Sequence, residues 1–161
     1  MTNRQVEYIL IKLSHPFEEF FMTDTPVSLA SLMTSSKTVT IDFPGYTGFT
    51  VDVTYLAREE LIKLRKRCLK TKWDKKTHQP LEELDDDKFL VEYTKAVLKG
   101  WSGLKYRYLE ELLLVDIGEL DPDDELLYTQ ENAELLMKNG TSFDTWVTET
   151  VGELENFTQR K

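Results

Sequence analysis

The side chains that most often carry catalysis are sparse in this sequence. Its two histidines, His15 and His78, lie far apart beside turn-forming residues. An imidazole pair for metal binding or acid–base work would need the fold to bring distant segments together. Cys68 is the single cysteine. It has no internal disulfide partner and no nearby Cys or His at metal-ligand spacing, and its helical context reads as that of a half-buried small hydrophobe. Carboxylates are plentiful, and Asp85-Asp86-Asp87 and Asp121 to Glu125 are the clusters that could attract a cation. Neither has the alternating ligands, glycine and final glutamate of a calcium loop. The first reads better as a helix cap with an acidic first turn, the second as a solvated loop. Gly100-Trp101-Ser102-Gly103 has the spacing of a backbone-clamping RNA loop, but it follows a helical pattern as a C-terminal turn and holds a tryptophan in place of basic residues. No G-x-S-x-G, H-E-x-x-H, C-x-x-C or phosphate-binding glycine loop occurs. The expectation is a non-enzymatic protein, without metal or cofactor, that works by binding other proteins.

Charge is segregated along the chain. The formal net charge is −9, yet Arg58 to Lys76 carries nine lysines and arginines against three acids, while Glu82 to Lys161 carries eight against twenty. Two electrostatic ends favour docking to oppositely charged partners or head-to-tail self-contact. The basic stretch, read as one helix with Trp73 beside it, is the only feature suited to nucleic acid, and the acidic remainder argues against that use. An acidic inhibitor of a nucleic-acid enzyme is a further alternative, although the acids are interleaved with ordinary apolar stripes. Met1 to Leu13 shows neither a signal-peptide pattern nor a spanning segment, so the expected setting is the cytoplasm, with no membrane partner.

The elements that must position these residues form an α+β pattern: a β-rich region over residues 1–55, then a helical region over residues 56–161 with about five helices, in one compact domain. Val6 to Leu13 alternates as a strand ended by His15-Pro16, and Val27 to Thr34 favours a short helix. Val39, Ile41 and Phe43, then Phe49, Val51, Val53 and Tyr55, alternate with polar residues around Pro44 to Gly48, which predicts a hairpin with a five-residue loop. Leu61, Leu64 and Cys68 begin a helical period, and Thr77 to Leu84 reads as a linker. Asp85 caps a helix burying Phe89, Leu90, Tyr93, Ala96 and Val97, with Gly100 and Gly103 at its end. Leu104, Tyr108, Leu112 and Val115 follow at near-helical spacing. Thr129 caps a helix stopping at Asn139-Gly140, and Phe143, Trp146, Val147, Val151, Leu154 and Phe157 stripe a final one.

Three runs in order, TVTIDFPGYTGFTVDVTYLAREELIKLRKRCLKTKWD, DDDKFLVEYTKAVLKGWSGLK and YTQENAELLMKNGTSFDTWVTETVGELENF, resemble the tail assembly chaperones of long, flexible-tailed bacteriophages. The resemblance extends from about Pro16 to Phe157 and rests on the order of weakly specific motifs. It implies a non-catalytic protein of the host cell cytoplasm that binds the tape-measure protein, helps tail-tube protein polymerise around it, self-associates, and is absent from the finished virion. A structural tail or head–tail connector subunit is the alternative. Many members of that family are also made in a longer, frameshifted form. Two positions depart from the pattern: Ala57 stands where a capping Ser or Thr is expected, and Gly140 where a Ser is expected. The family supplies no catalytic residues. Tyr46, Trp73 and Trp101 are the aromatics expected to contact a partner, because each sits in a turn or at a helix end, with core burial the competing role for Trp101.

Overall fold

The strongest alternation in the sequence becomes the centre of the fold. In the computed structural model, which describes residues 27–34 and 36–158, β1 (Thr38–Asp42) and β2 (Thr50–Thr54) pair antiparallel, with Val39 opposite Val53 and Ile41 opposite Val51. The Phe43 amide donates to the Phe49 carbonyl at 2.8 Å and closes the expected five-residue loop. Period two sends Val39, Ile41, Val51 and Val53 to one face. Thr38, Thr40, Asp42, Thr50, Asp52 and Thr54 go to the other, where the Thr38 and Thr54 hydroxyls lie 2.7 Å apart and Thr40 donates to Asp52 at 2.5 Å.

The chain divides into two units at Met33–Thr34. In the first, α1 (Leu29–Leu32) is the short helix expected there, capped by Ser28, whose side chain accepts from the Ser31 amide. The expected strand Val6 to Leu13 lies outside the described residues. The second unit has α+β architecture: the sheet region, and five helices of seven residues or more.

After the hairpin comes α2 (Arg58–Arg67), which Ala57 precedes without a side-chain cap. It does not run on to Lys76 as the charge pattern suggested. Leu64 and Cys68 are its buried residues near the end, and the next positions on that stripe, Thr71 and Lys72, are polar, so continuing the helix would bury nothing more. Instead β3 (Leu69–Trp73) turns back onto β4 (Pro80–Leu84), which replaces the expected linker. Cys68 is fully buried at the helix end.

Asp85 caps α3 (Asp86–Val97) as expected, accepting from the Lys88 amide at 3.2 Å. The helix leads directly into β5 (Leu98–Ser102), so Gly100 to Gly103 is not a helix-ending turn but part of a sheet ordered β1-β2-β5. Gly100 pairs with Asp52 and Leu98 with Val53, leaving Lys99 as an extra residue in a bulge. That bulge lets Leu98 and Trp101, three positions apart, both face the core, where they are 1% and 7% exposed. Gly103 ends the strand at φ +72°, and the place a Cβ would occupy is already filled by the Gly48 carbonyl.

The remaining helices are α4 (Tyr106–Leu112), α5 (Gln130–Asn139), α6 (Thr141–Gly152) and α7 (Glu155–Thr158). Val115 lies beyond α4. Thr129 caps α5, accepting from the Asn132 amide at 3.1 Å, and Gly140 precedes α6 without a side-chain cap. The expected single terminal helix is broken after Gly152: Leu154 is exposed, while the chain turns so that Phe157 packs its ring 5.4 Å from Tyr55. Helices α3 and α6 lie against β2, and α7 against β1. Between these layers Phe49 and Phe143, both fully buried, stack with centroids 6.2 Å apart. Among the described residues no helix is long and apolar enough to cross a membrane.

Candidate interaction surfaces

The three aromatics expected at a partner surface occupy different settings. Trp101 belongs to the core: its indole Nε1 donates to the Leu126 carbonyl at 2.8 Å and its ring meets Tyr128 edge-on at 4.9 Å. Tyr46, in the hairpin loop, packs against Phe43 at 5.3 Å and Tyr108 at 5.1 Å. Burial, followed by the nearby Glu111 carboxylate, raises its phenol above the ordinary range. Trp73 alone stands in solvent, 61% exposed at the end of β3.

The β3–β4 ribbon around Trp73 is the least buried pairing among the described residues. Its register places Leu69, Thr71 and Trp73 opposite Leu84, Glu82 and Pro80 on one face, and Lys70 and Lys72 opposite Glu83 and Leu81 on the other. Leu69 and Leu81 are 41% and 57% exposed. The turn is closed by Asp74, whose carboxylate accepts from the Lys76 amide and the Thr77 hydroxyl, both at 2.8 Å. Those bonds, the amide first, hold its pKa below the usual carboxylate value. Lys72 pairs with Glu83 at 3.3 Å, and Lys70 approaches Asp85 at 3.8 Å. At the base, the Asp85 amide donates to the Cys68 carbonyl at 2.8 Å. A lone two-stranded ribbon is marginal in water, and exposed apolar side chains between unpaired edges form a surface other chains can join. Trp73, Leu81, Lys72 and Lys75 line a shallow cleft of about 340 Å³ on it.

A second surface lies between α3 and α5. Leu90, Val91 and Leu135 form the floor of an open groove of about 400 Å³, rimmed by Asp87, Glu131, Glu134 and Lys138. Lys138 reaches Asp87 across it at 3.1 Å. The groove joins distant segments, its bridging pair Asp87 and Lys138 being 51 positions apart, so no local motif marks it.

The Asp121 to Glu125 cluster is the solvated loop expected, all five residues being exposed, and its backbone also serves the fold. The Asp124 and Pro122 carbonyls accept from the Tyr106 and Arg107 amides at 2.9 and 3.1 Å, capping α4 where Lys105 has no capping side chain. Asp123 bonds Lys105 at 3.0 Å and Arg107 at 2.9 Å, which lowers its pKa, the Lys105 bond first. Among the described residues no three His, Cys, Asp or Glu side chains converge as metal ligands. His78 sits in the ribbon turn at φ 53°, and His15 lies outside the described residues.

No protein-family model, curated protein or solved structure matches the chain.

Proposed function

We propose that this chain is a tail assembly chaperone of the long-tailed bacteriophage type: a non-catalytic protein of the host cytoplasm that holds the tape-measure protein, assists tail-tube assembly, and leaves before the virion is complete. The observation that best supports a binding role is the β3–β4 ribbon. Its five residue pairs bury little and present Trp73 and Leu69 to solvent on one face and Leu81 on the other. Tryptophan in such a setting is the residue type that most often anchors a protein interface. The phage assignment itself comes from the ordered sequence motifs.

Co-expression with the tape-measure reading frame of the same genome tests the proposal. The expected result is a soluble, stoichiometric complex with wild-type chain and an aggregated tape-measure product without it. Failure of the wild-type chain to co-purify with or solubilise that product overturns the reading. The unpaired ribbon edges also suit permanent strand addition between subunits, which favours the alternative of a structural tail or head–tail connector subunit. Mass spectrometry of purified particles separates the two: a chaperone is missing from them and a structural subunit is present.

A further inference from the structure

We propose that the groove between α3 and α5 receives an amphipathic helix whose apolar stripe is flanked by lysines or arginines. This rests on the reading of the chain as a binder of other proteins, and it assigns a surface and a partner chemistry distinct from the ribbon.

The groove floor is apolar for a reason the fold does not use. On α5 the buried stripe is Ala133, Leu136 and Met137, whereas Leu135 points off that stripe and stays 52% exposed. Val91 on α3 is likewise an exposed apolar residue, beside half-buried Leu90. These three line the same groove. Helical spacing puts Glu131, Glu134, Leu135 and Lys138 at i, i+3, i+4 and i+7, so they share one face of α5. The rim therefore offers three carboxylates and one ammonium, and that ammonium is engaged with Asp87. Glu134 accepts from the Gln130 side chain at 2.9 Å, a neutral bond that leaves its charge in place.

Those features select among occupants. Two helices present no unpaired backbone edge, so an extended strand finds nothing to pair with, and docking must come through side chains in the helix-in-groove manner. An acidic helix would set like charges against the rim. A helix with leucines along one face and lysines beside them matches both floor and rim. With only three apolar side chains on the floor, one or two turns of the partner are engaged, which gives an affinity in about the micromolar range.

The probe is a synthetic amphipathic helix of about five turns, leucines on one face and lysines flanking them, with a counterpart in which every lysine is glutamate. Binding to the full chain is followed by fluorescence anisotropy and by amide shifts. The lysine helix is expected to bind at about micromolar Kd with shifts centred on residues 87–91 and 131–138. Leu135→Ser and the double change Glu131→Gln, Glu134→Gln are each expected to weaken it about tenfold, with thermal melts lowered by no more than about 5 °C. The proposal is overturned if the lysine helix does not bind, if the glutamate helix binds equally well, if the shifts fall elsewhere, or if neither variant changes the affinity. Tape-measure co-purification is scored separately with the wild-type chain. Its success alongside any of those outcomes leaves the functional reading standing and removes the groove. Its failure alongside charge-selective helix binding removes that reading and keeps the groove.

Discussion

The two hairpins of this protein are alike in pairing and opposite in burial. β1–β2 and β3–β4 each run antiparallel through five residue pairs, so their backbone hydrogen bonding is equivalent. In β2, Val51 and Val53 are completely buried, whereas every residue of β3 is exposed. The difference lies in what covers them. β2 sits between β1 and β5 with α3 and α6 against it, while among the described residues β3 has β4 as its main neighbour. Ladder bonds exchange for bonds to water at little net gain, and apolar burial supplies most of the stability. The first hairpin is therefore a scaffold and the second a display, and Trp101 of β5, paired with β2, and Trp73 of β3 give the sharpest test of that contrast.

Trp101→Ala is expected to cost about 4 kcal/mol in urea denaturation, because it empties a core site and strands the Leu126 carbonyl without its indole donor. Trp73→Ala, removing the same side chain from the ribbon, is expected to change stability by less than about 0.5 kcal/mol while weakening partner capture at least tenfold. Equal destabilisation by the two changes would break the distinction between scaffold and display. Gly103→Ala is expected to cost about 3 kcal/mol, because its left-handed φ and the Gly48 carbonyl leave no room for a methyl group. Gly45→Ala, also at positive φ but with open space around it, should cost about 1 kcal/mol, isolating the steric part.

The first hairpin was legible in the sequence because its two strands alternate without interruption around a Pro-Gly loop. The capped starts of α3 and α5 were legible because Asp85 and Thr129 accept from amides within their own turn. The third strand was hidden because the bulge at Lys99 breaks period two, so Leu98, Gly100 and Trp101 read as a helix tail with a turn. The ribbon was hidden for the opposite reason. Its residues are exposed apart from half-buried Leu84, so neither period is selected, and a lysine-rich stretch after a helix looks like more helix. Trp73 was singled out as an aromatic at a helix end, whereas it ends a strand, and its exposure follows from a pairing with Pro80 that no local pattern encodes.

The scaffold side carries one polar defect. Thr94 is fully buried on α3, and its hydroxyl has no hydrogen-bond partner among the described residues. Thr94→Val keeps the shape and removes the unpaired group, so it is expected to stabilise the protein by about 1 kcal/mol. A loss of stability instead would show that the hydroxyl is satisfied in solution.

The smallest effect separates the turns that serve the two regions. Asp74 in the ribbon and Asp123 beside α4 both have pKa values below the ordinary 3.8. Each therefore favours the folded state fully above that value, and the contribution disappears as pH falls through the lower folded pKa. The causes differ: Asp74 is held by an amide and a hydroxyl, Asp123 by the cations of Lys105 and Arg107. Salt screens exposed charges and leaves short neutral donors largely untouched. Raising salt from about 0.05 to about 1 M should move the carboxyl titration of Asp123 upward toward its ordinary value while that of Asp74 barely changes, as read by carboxyl carbon shifts. If the two move together, the ribbon turn is held by its surrounding lysines, and the display would be an electrostatic structure rather than a hydrogen-bonded one.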